Sequence, residues 1–144
     1  MNNDHTIRLL RECSAGTEMG IASIEEALPG VRDQKLRSLL EHSRDAHTRI
    51  GQEAEQMLKS RGGEVKEPGA IAKGMSFAKT NLKLAFSPGD ASVADLITDG
   101  CHMGVKSLRQ TLNDCSSADS SATQLAERLI EEEDRLASDL REYL

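Results

Sequence analysis

Apolar residues recur at alternating steps of three and four along four long stretches of this chain, and this spacing limits the possible folds more than any other feature. Such a step places the side chains on one face of an α-helix. Helix-ending residues separate the stretches, among them Pro29 with Gly30 and Gly62 with Gly63. The predicted helices cover residues 4–28, 33–61 and 91–114 and, after the serine-rich turn 115–122, the rest of the chain to its C-terminus. Asp33 is a suitable N-cap for the second of them.

The composition also favours an all-α core. The 144 residues include no Trp, one Tyr and two Phe, so Leu, Ile, Val, Ala and Met must supply nearly all of the core. Most all-β folds depend on aromatic and β-branched side chains. The length fits one domain, residues 1–144.

Charge and cysteine content limit the environment and the partners. The net charge of −6 opposes binding to nucleic-acid phosphates. No apolar run is long enough to cross a membrane, and the first residues lack the apolar stretch of a signal peptide. Cys13, Cys101 and Cys115 are odd in number and irregularly spaced, which indicates reduced thiols rather than disulfides or a zinc site. We therefore expect a cytoplasmic protein that does not bind nucleic acid.

The lengths of the connections predict the topology. Short turns join the helices into two antiparallel hairpins, residues 4–62 and 91–144. A crossover at 63–90 links the hairpins and contains a predicted short fifth helix. The face of this helix with Ile71 and Met75 is expected to pack on the bundle. Its lysines suggest a membrane surface as an alternative, but the cations are too few to favour it. Two hairpins joined by one long crossover predict a ferritin-like four-helix bundle.

The two hairpins also share a sequence pattern. At an offset of 84, the first predicted helix matches the third, and at an offset of 86 the second matches the fourth more weakly. The clearest matches are Gly16, Met19, Gly20, Ser23 and Leu28 with Gly100, Met103, Gly104, Ser107 and Leu112. The pattern predicts an internal duplication, and chance similarity of amphipathic helices is the alternative. We expect the glycines to allow close approach of the first and third helices.

The chain resembles a family of bacterial ferritin-like four-helix proteins that is known only as a domain of unknown function. The family is distantly similar to rubrerythrins and ferritins. The most recognisable segment is the crossover, GGEVKEPGAIAKGMSFAKTNLKLAFSPGD at 62–90, and the resemblance extends over nearly the whole chain. It implies a ferritin-like fold and no particular activity.

Catalytic ferritin-like proteins hold two metal ions with one Glu from each of two helices and a Glu-x-x-His pair from each of the other two. No Glu-x-x-His is present in this chain. Arg44 occupies the Glu position before His47, and Ile130 occupies it before Glu133. The sequence therefore argues against an intact di-iron centre.

A weaker set of metal-ligating residues remains at the predicted middle of the bundle. Antiparallel pairing places Thr17 opposite His47 and Cys101 opposite Glu133, and Glu18 and His102 adjoin this level. The candidate metal ligands are Glu18, His47, Cys101, His102 and Glu133. His, Glu and Cys could together hold one divalent ion, namely iron, manganese or zinc. The alternative is a buried polar pair of His47 with Glu133, in which Cys101 acts as a small hydrophobic residue.

Two functions are consistent with these patterns. The sequence favours a non-catalytic structural or protein-interaction module with a degenerate metal centre, which works as a homodimer or with another protein partner. In that interpretation no cofactor is bound, and no residue is catalytic. The alternative is a metal-binding redox or stress-related protein that uses the diverged site at mid-bundle.

Overall fold

The computed structural model describes residues 3–63 and 89–144. Within these residues all regular secondary structure is helical, with no strand. Its elements are α1 (Asn3–Ala27), α2 (Gln34–Ser60), α3 (Asp90–Asp114) and α4 (Ser120–Leu140), with 3-10 turns at Leu28–Gly30 and Arg141–Tyr143. The prediction of an all-α four-helix fold is confirmed for this part of the chain. The helix predicted inside the crossover lies outside the described residues.

Local signals fix the ends of the helices. The carboxylate of Asp33 accepts a hydrogen bond of 2.9 Å from the backbone N–H of Leu36, so the predicted N-cap of α2 is confirmed. Asp119 caps α4 in the same way, accepting from the N–H of Ala122 at 2.9 Å. After α2 the chain turns at Gly62, whose φ of 71° is a left-handed conformation that favours glycine.

Contacts at the two ends of the bundle define the direction of each helix. At one end, the N–H of Asp119 donates to Thr6 Oγ1 at 2.9 Å, and Arg61 forms an ion pair with Asp119. At the other end, Asp90 accepts from the N–H groups of Arg32 at 2.8 Å and Asp33 at 3.1 Å. Thus α1 is antiparallel to α2 and α3 and parallel to α4. The end of α2 and the start of α3 lie at opposite ends of the bundle.

The core consists of two apolar clusters with a polar layer between them. Leu9, Leu58 and Leu125 lie in one cluster, and Ile24, Leu36 and Leu140 lie in the other. The buried polar residues at mid-height are Ser14, Thr17, Ser43, His47 and Glu133. Among the described residues the core contains no buried Phe, Tyr or Trp, and Tyr143 packs at the margin of the second cluster. None of the four described helices has an apolar stretch long enough to span a lipid bilayer.

The buried Asp119 cap should contribute stability that depends on pH. Burial raises the pKa of Asp119, but hydrogen bonds from Ala122 and Ser121 and the charge of Arg61 outweigh burial, so its pKa lies below the ordinary value. The resulting stability is present above the unfolded pKa of about 4 and is lost as the pH falls through the folded pKa. We expect Asp119→Ala to lower the free energy of unfolding by about 1–2 kcal/mol at neutral pH. This difference should shrink in acid, as measured by urea unfolding.

Asp119→Asn is the matched control for this prediction. Asn keeps an oxygen that can cap α4 but loses the negative charge that attracts Arg61. Its loss of stability should therefore be smaller than that of Asp119→Ala. Equal stability of Asp119→Ala and the wild type at neutral pH would contradict the assigned role of the cap.

Candidate functional site

His47 lies at the centre of the polar layer and is bound at both ring nitrogens. It projects from α2 into the bundle, with 1 % of its surface exposed. Its Nδ1 is 2.7 Å from the backbone carbonyl oxygen of Ser43, one turn earlier. Because a carbonyl oxygen can only accept, Nδ1 must carry a hydrogen. Its Nε2 is 2.9 Å from Oε1 of Glu133 on α4.

The partner of His47 is equally enclosed, since Glu133 is only 6 % exposed. Burial by itself lowers the pKa of His47. The hydrogen bond and charge of Glu133, the Ser43 carbonyl and the charge of Glu132 outweigh burial and raise this pKa above its ordinary value. The contact of Nε2 with Oε1 therefore favours the protonated form of the imidazole. The two side chains form a buried salt bridge.

A chain of polar contacts connects this layer with the surface. The hydroxyl of Ser43 donates to Oε2 of Glu132 at 2.8 Å. Arg135 then forms ion pairs with Glu132 at 2.6 Å and with Asp139 at 3.0 Å. Glu132 and Glu133 therefore have different roles, although they are neighbours in an acidic run. Glu133 pairs with the buried ring of His47, whereas Glu132 links α4 to α2 nearer the solvent.

Two glycines leave space for the buried pair. A Cβ atom on Gly20 would lie 2.6 Å from Cδ2 and 2.8 Å from Nε2 of His47. A Cβ atom on Gly104 would lie 3.3 Å from Cδ of Glu133. The expectation that these glycines bring α1 and α3 together is wrong. Each glycine instead faces a polar side chain of the other helix in its own hairpin.

The predicted pairing of Thr17 with His47 is also corrected. Thr17 contacts Gly51, where an added Cβ atom would lie 2.7 Å from Thr17 Oγ1. The physical reason is the tilt of helical side chains towards the N-terminus of their helix. Because of this tilt, the imidazole of His47 lies beside the backbone of Ser43, one turn earlier in α2, and there it packs against Gly20.

Three of the five predicted metal ligands share the layer. Besides His47 and Glu133, the thiol of Cys101 is buried beside Glu133 and hydrogen-bonds to it. Burial, followed by the charge of Glu133, raises the pKa of Cys101 well above its ordinary value, so this group is a neutral thiol. His102 is exposed on the outer side of α3, and Glu18 is half-buried on α1.

These donors do not converge on a common point. In residues 3–63 and 89–144, no group of three or more His, Cys, Asp or Glu side chains could hold a metal ion. Ser43 and Arg135 were not among the residues predicted to form the site. A serine four residues before a buried histidine was the available signal for Ser43, because residues at this spacing face each other on a helix.

Fold and site together define a class of protein. It is an antiparallel four-helix bundle with two hairpins and a buried ion pair at mid-height. Comparisons of the chain with protein-family models, with curated proteins and with solved structures give no match.

Proposed function

We propose that this protein is a non-catalytic, ferritin-like structural or protein-interaction module whose metal centre has been replaced by a buried ion pair. The closed geometry of His47 carries the proposal. A histidine binds a metal through an unprotonated ring nitrogen. Here Nδ1 must donate to the carbonyl of Ser43, and Nε2 lies 2.9 Å from Oε1 of Glu133. In this arrangement a protein group already occupies each ring nitrogen, and neither is open to a cation.

The direction of the helices supports the ferritin-like part of the proposal. The end of α2 lies at one end of the bundle beside α1, where a Cβ atom on Gly63 would be 3.5 Å from Ile7. The start of α3 lies at the other end, where Asp90 contacts Arg32. Two hairpins joined between opposite ends match the topology of ferritin-like folds.

The layer itself supports an origin by duplication. Gly20 and Gly104 are 84 positions apart, and His47 and Glu133 are 86 apart, which are the offsets of the predicted repeat. Gly20 packs on His47, and Gly104 packs on Glu133. Each hairpin thus contributes a glycine and a polar side chain to one layer.

The cysteines support a reduced, unreactive interior, in keeping with a cytoplasmic location. All three are free and buried. Burial, together with the charge of Glu12, raises the pKa of Cys13 to about 12. Redox chemistry requires a thiolate, and neither Cys13 nor Cys101 forms one at neutral pH.

Metal analysis tests the proposal. The full chain, purified without added metal, should contain iron, manganese and zinc at far below one atom per molecule. Its melting temperature should not change with Mn²⁺, Zn²⁺ or a chelator, because a ligand that binds only the folded state would raise it. Stoichiometric metal that disappears in His47→Ala and Glu133→Ala would overturn the proposal and support the metal-binding alternative.

A further inference from the structure

The outer face of α3 has two features that the packing of the described residues does not explain. Met103 is 61 % exposed, whereas the other large apolar side chains of the described helices are at least partly covered. Gly100 lies one turn earlier on the same outer side. A Cβ atom there would meet nothing within 4 Å, yet a glycine inside a helix costs about 1 kcal/mol relative to Ala. Neither residue serves the interior of the bundle.

The charges on this face are separated along the helix. Asp95 and Asp99 precede Met103, Lys106 and Arg109 follow it, and all four are exposed. None of the four forms an ion pair with another described residue. They lie beyond the first turn of α3 and before its last turn, where the helix dipole contributes little. Within α3, Asp95 and Asp99 also repel each other at a spacing of four.

We propose that the outer face of α3 binds α3 of a second copy of this chain in an antiparallel arrangement. The two-fold axis would pass close to Met103. Asp99 of each copy then faces Lys106 of the other, and Asp95 faces Arg109. A parallel arrangement would instead place like charges opposite each other. The charge order along α3 therefore selects one relative orientation of the two copies.

Met103 lies beside this row of charges, and Gly100 lies at the edge of the same outer side, because each residue turns 100° around the helix. Met103 supplies flexible apolar surface that becomes covered on association. One helix pair buries less surface than a standard protein interface. We therefore expect a weak dimer that forms as the concentration rises. The inference rests on the proposed function and names a second copy of the chain as the partner of the interaction module.

Sedimentation velocity of the full chain tests this interface. Between about 5 μM and about 500 μM, the mean mass should rise from the 15.7 kDa monomer towards twice that value. Lys106→Glu/Arg109→Glu makes the face wholly acidic, and Asp95→Lys/Asp99→Lys makes it wholly basic. Each variant alone should associate at least tenfold more weakly than the wild type. An equimolar mixture of the two should form a heterodimer at least as tightly as the wild type forms its homodimer.

Arg49→Glu/Lys59→Glu is the matched control for Lys106→Glu/Arg109→Glu. It lowers the net charge by the same amount, but at exposed positions of α2. It should leave the association unchanged. A monomer at every concentration overturns the inference, as does a dimer that is insensitive to the α3 variants. Metal content is independent of this result. Stoichiometric metal would refute the proposed function, whereas a metal-free monomer would refute only the dimer.

Discussion

His47→Leu should cause one of the largest losses of stability among single substitutions in the described core, whereas His47→Leu/Glu133→Leu should cost little. The single variant leaves the Glu133 carboxylate buried with no cation beside it. Breaking a buried pair in this way costs about 3–5 kcal/mol. Replacing both members by apolar residues removes the buried charges together, and such replacements are often neutral or stabilising. Urea unfolding at neutral pH measures each difference.

Glu133→Leu should be less harmful than His47→Leu, because near neutral pH an imidazolium loses its proton more easily than a carboxylate gains one. Without the Glu133 charge and hydrogen bond, burial lowers the pKa of His47, and the ring loses its proton. Nδ1 keeps its bond to the Ser43 carbonyl, and only Nε2 remains without a partner. One unsatisfied buried polar group costs about 1–3 kcal/mol. The order of stability should be wild type and double variant first, then Glu133→Leu, then His47→Leu.

The exposed pair of Arg128 with Glu53 is the control for this series. It makes two hydrogen bonds, of 2.9 Å and 2.8 Å, so its geometry is at least as good as that of the buried pair. Because solvent surrounds it, Arg128→Ala and Glu53→Ala should each cost less than about 1 kcal/mol. If substitutions in the exposed pair and in the buried pair lowered the free energy of unfolding by similar amounts, His47 and Glu133 would not form a buried ion pair.

The helices were predictable because their signals are local. Periodic apolar residues, an Asp before α2 and a Pro–Gly turn after α1 act within a few positions of the chain, and α2 begins directly after Asp33 as expected. The polar layer was predictable for the same reason. His47 and Glu133 occupy positions on apolar stripes, so a helical fold must bury them.

The arrangement within the layer depends on features that spacing alone does not contain. Residue spacing along two antiparallel helices predicts only which backbone positions lie at the same height, and it places Thr17 opposite His47. The contacts depend instead on the length and tilt of each side chain, which place the ring of His47 against Gly20. His102 is a different case, because helical spacing does indicate its position. It adjoins Cys101 in the sequence, and a step of 100° around the helix turns it outwards.

Substitutions of two glycines in similar sequence settings should have opposite effects on stability. Gly20 and Gly100 both lie inside long helices, and both belong to the predicted repeat. Gly20→Ala would place Cβ 2.6 Å from the ring of His47. Hydrogen bonds at both nitrogens hold this ring in place. The ring must move away from Glu133, and overpacking with partial loss of the buried bond should cost about 2–3 kcal/mol. This cost exceeds the gain in helix propensity of about 1 kcal/mol.

Gly100→Ala meets open space and should gain about 0.5–1 kcal/mol from helix propensity alone. The unfolding of both variants should be measured at low protein concentration, so that association through α3 does not contribute to the stability. Combining Gly20→Ala with His47→Ala provides the decisive control. Once the ring is removed, the Cβ atom of Ala at position 20 no longer clashes with it, and the Gly20→Ala substitution should become neutral or stabilising. A Gly20→Ala cost that persists without His47 would show that the glycine serves another contact, and the link between Gly20 and the buried pair would be wrong.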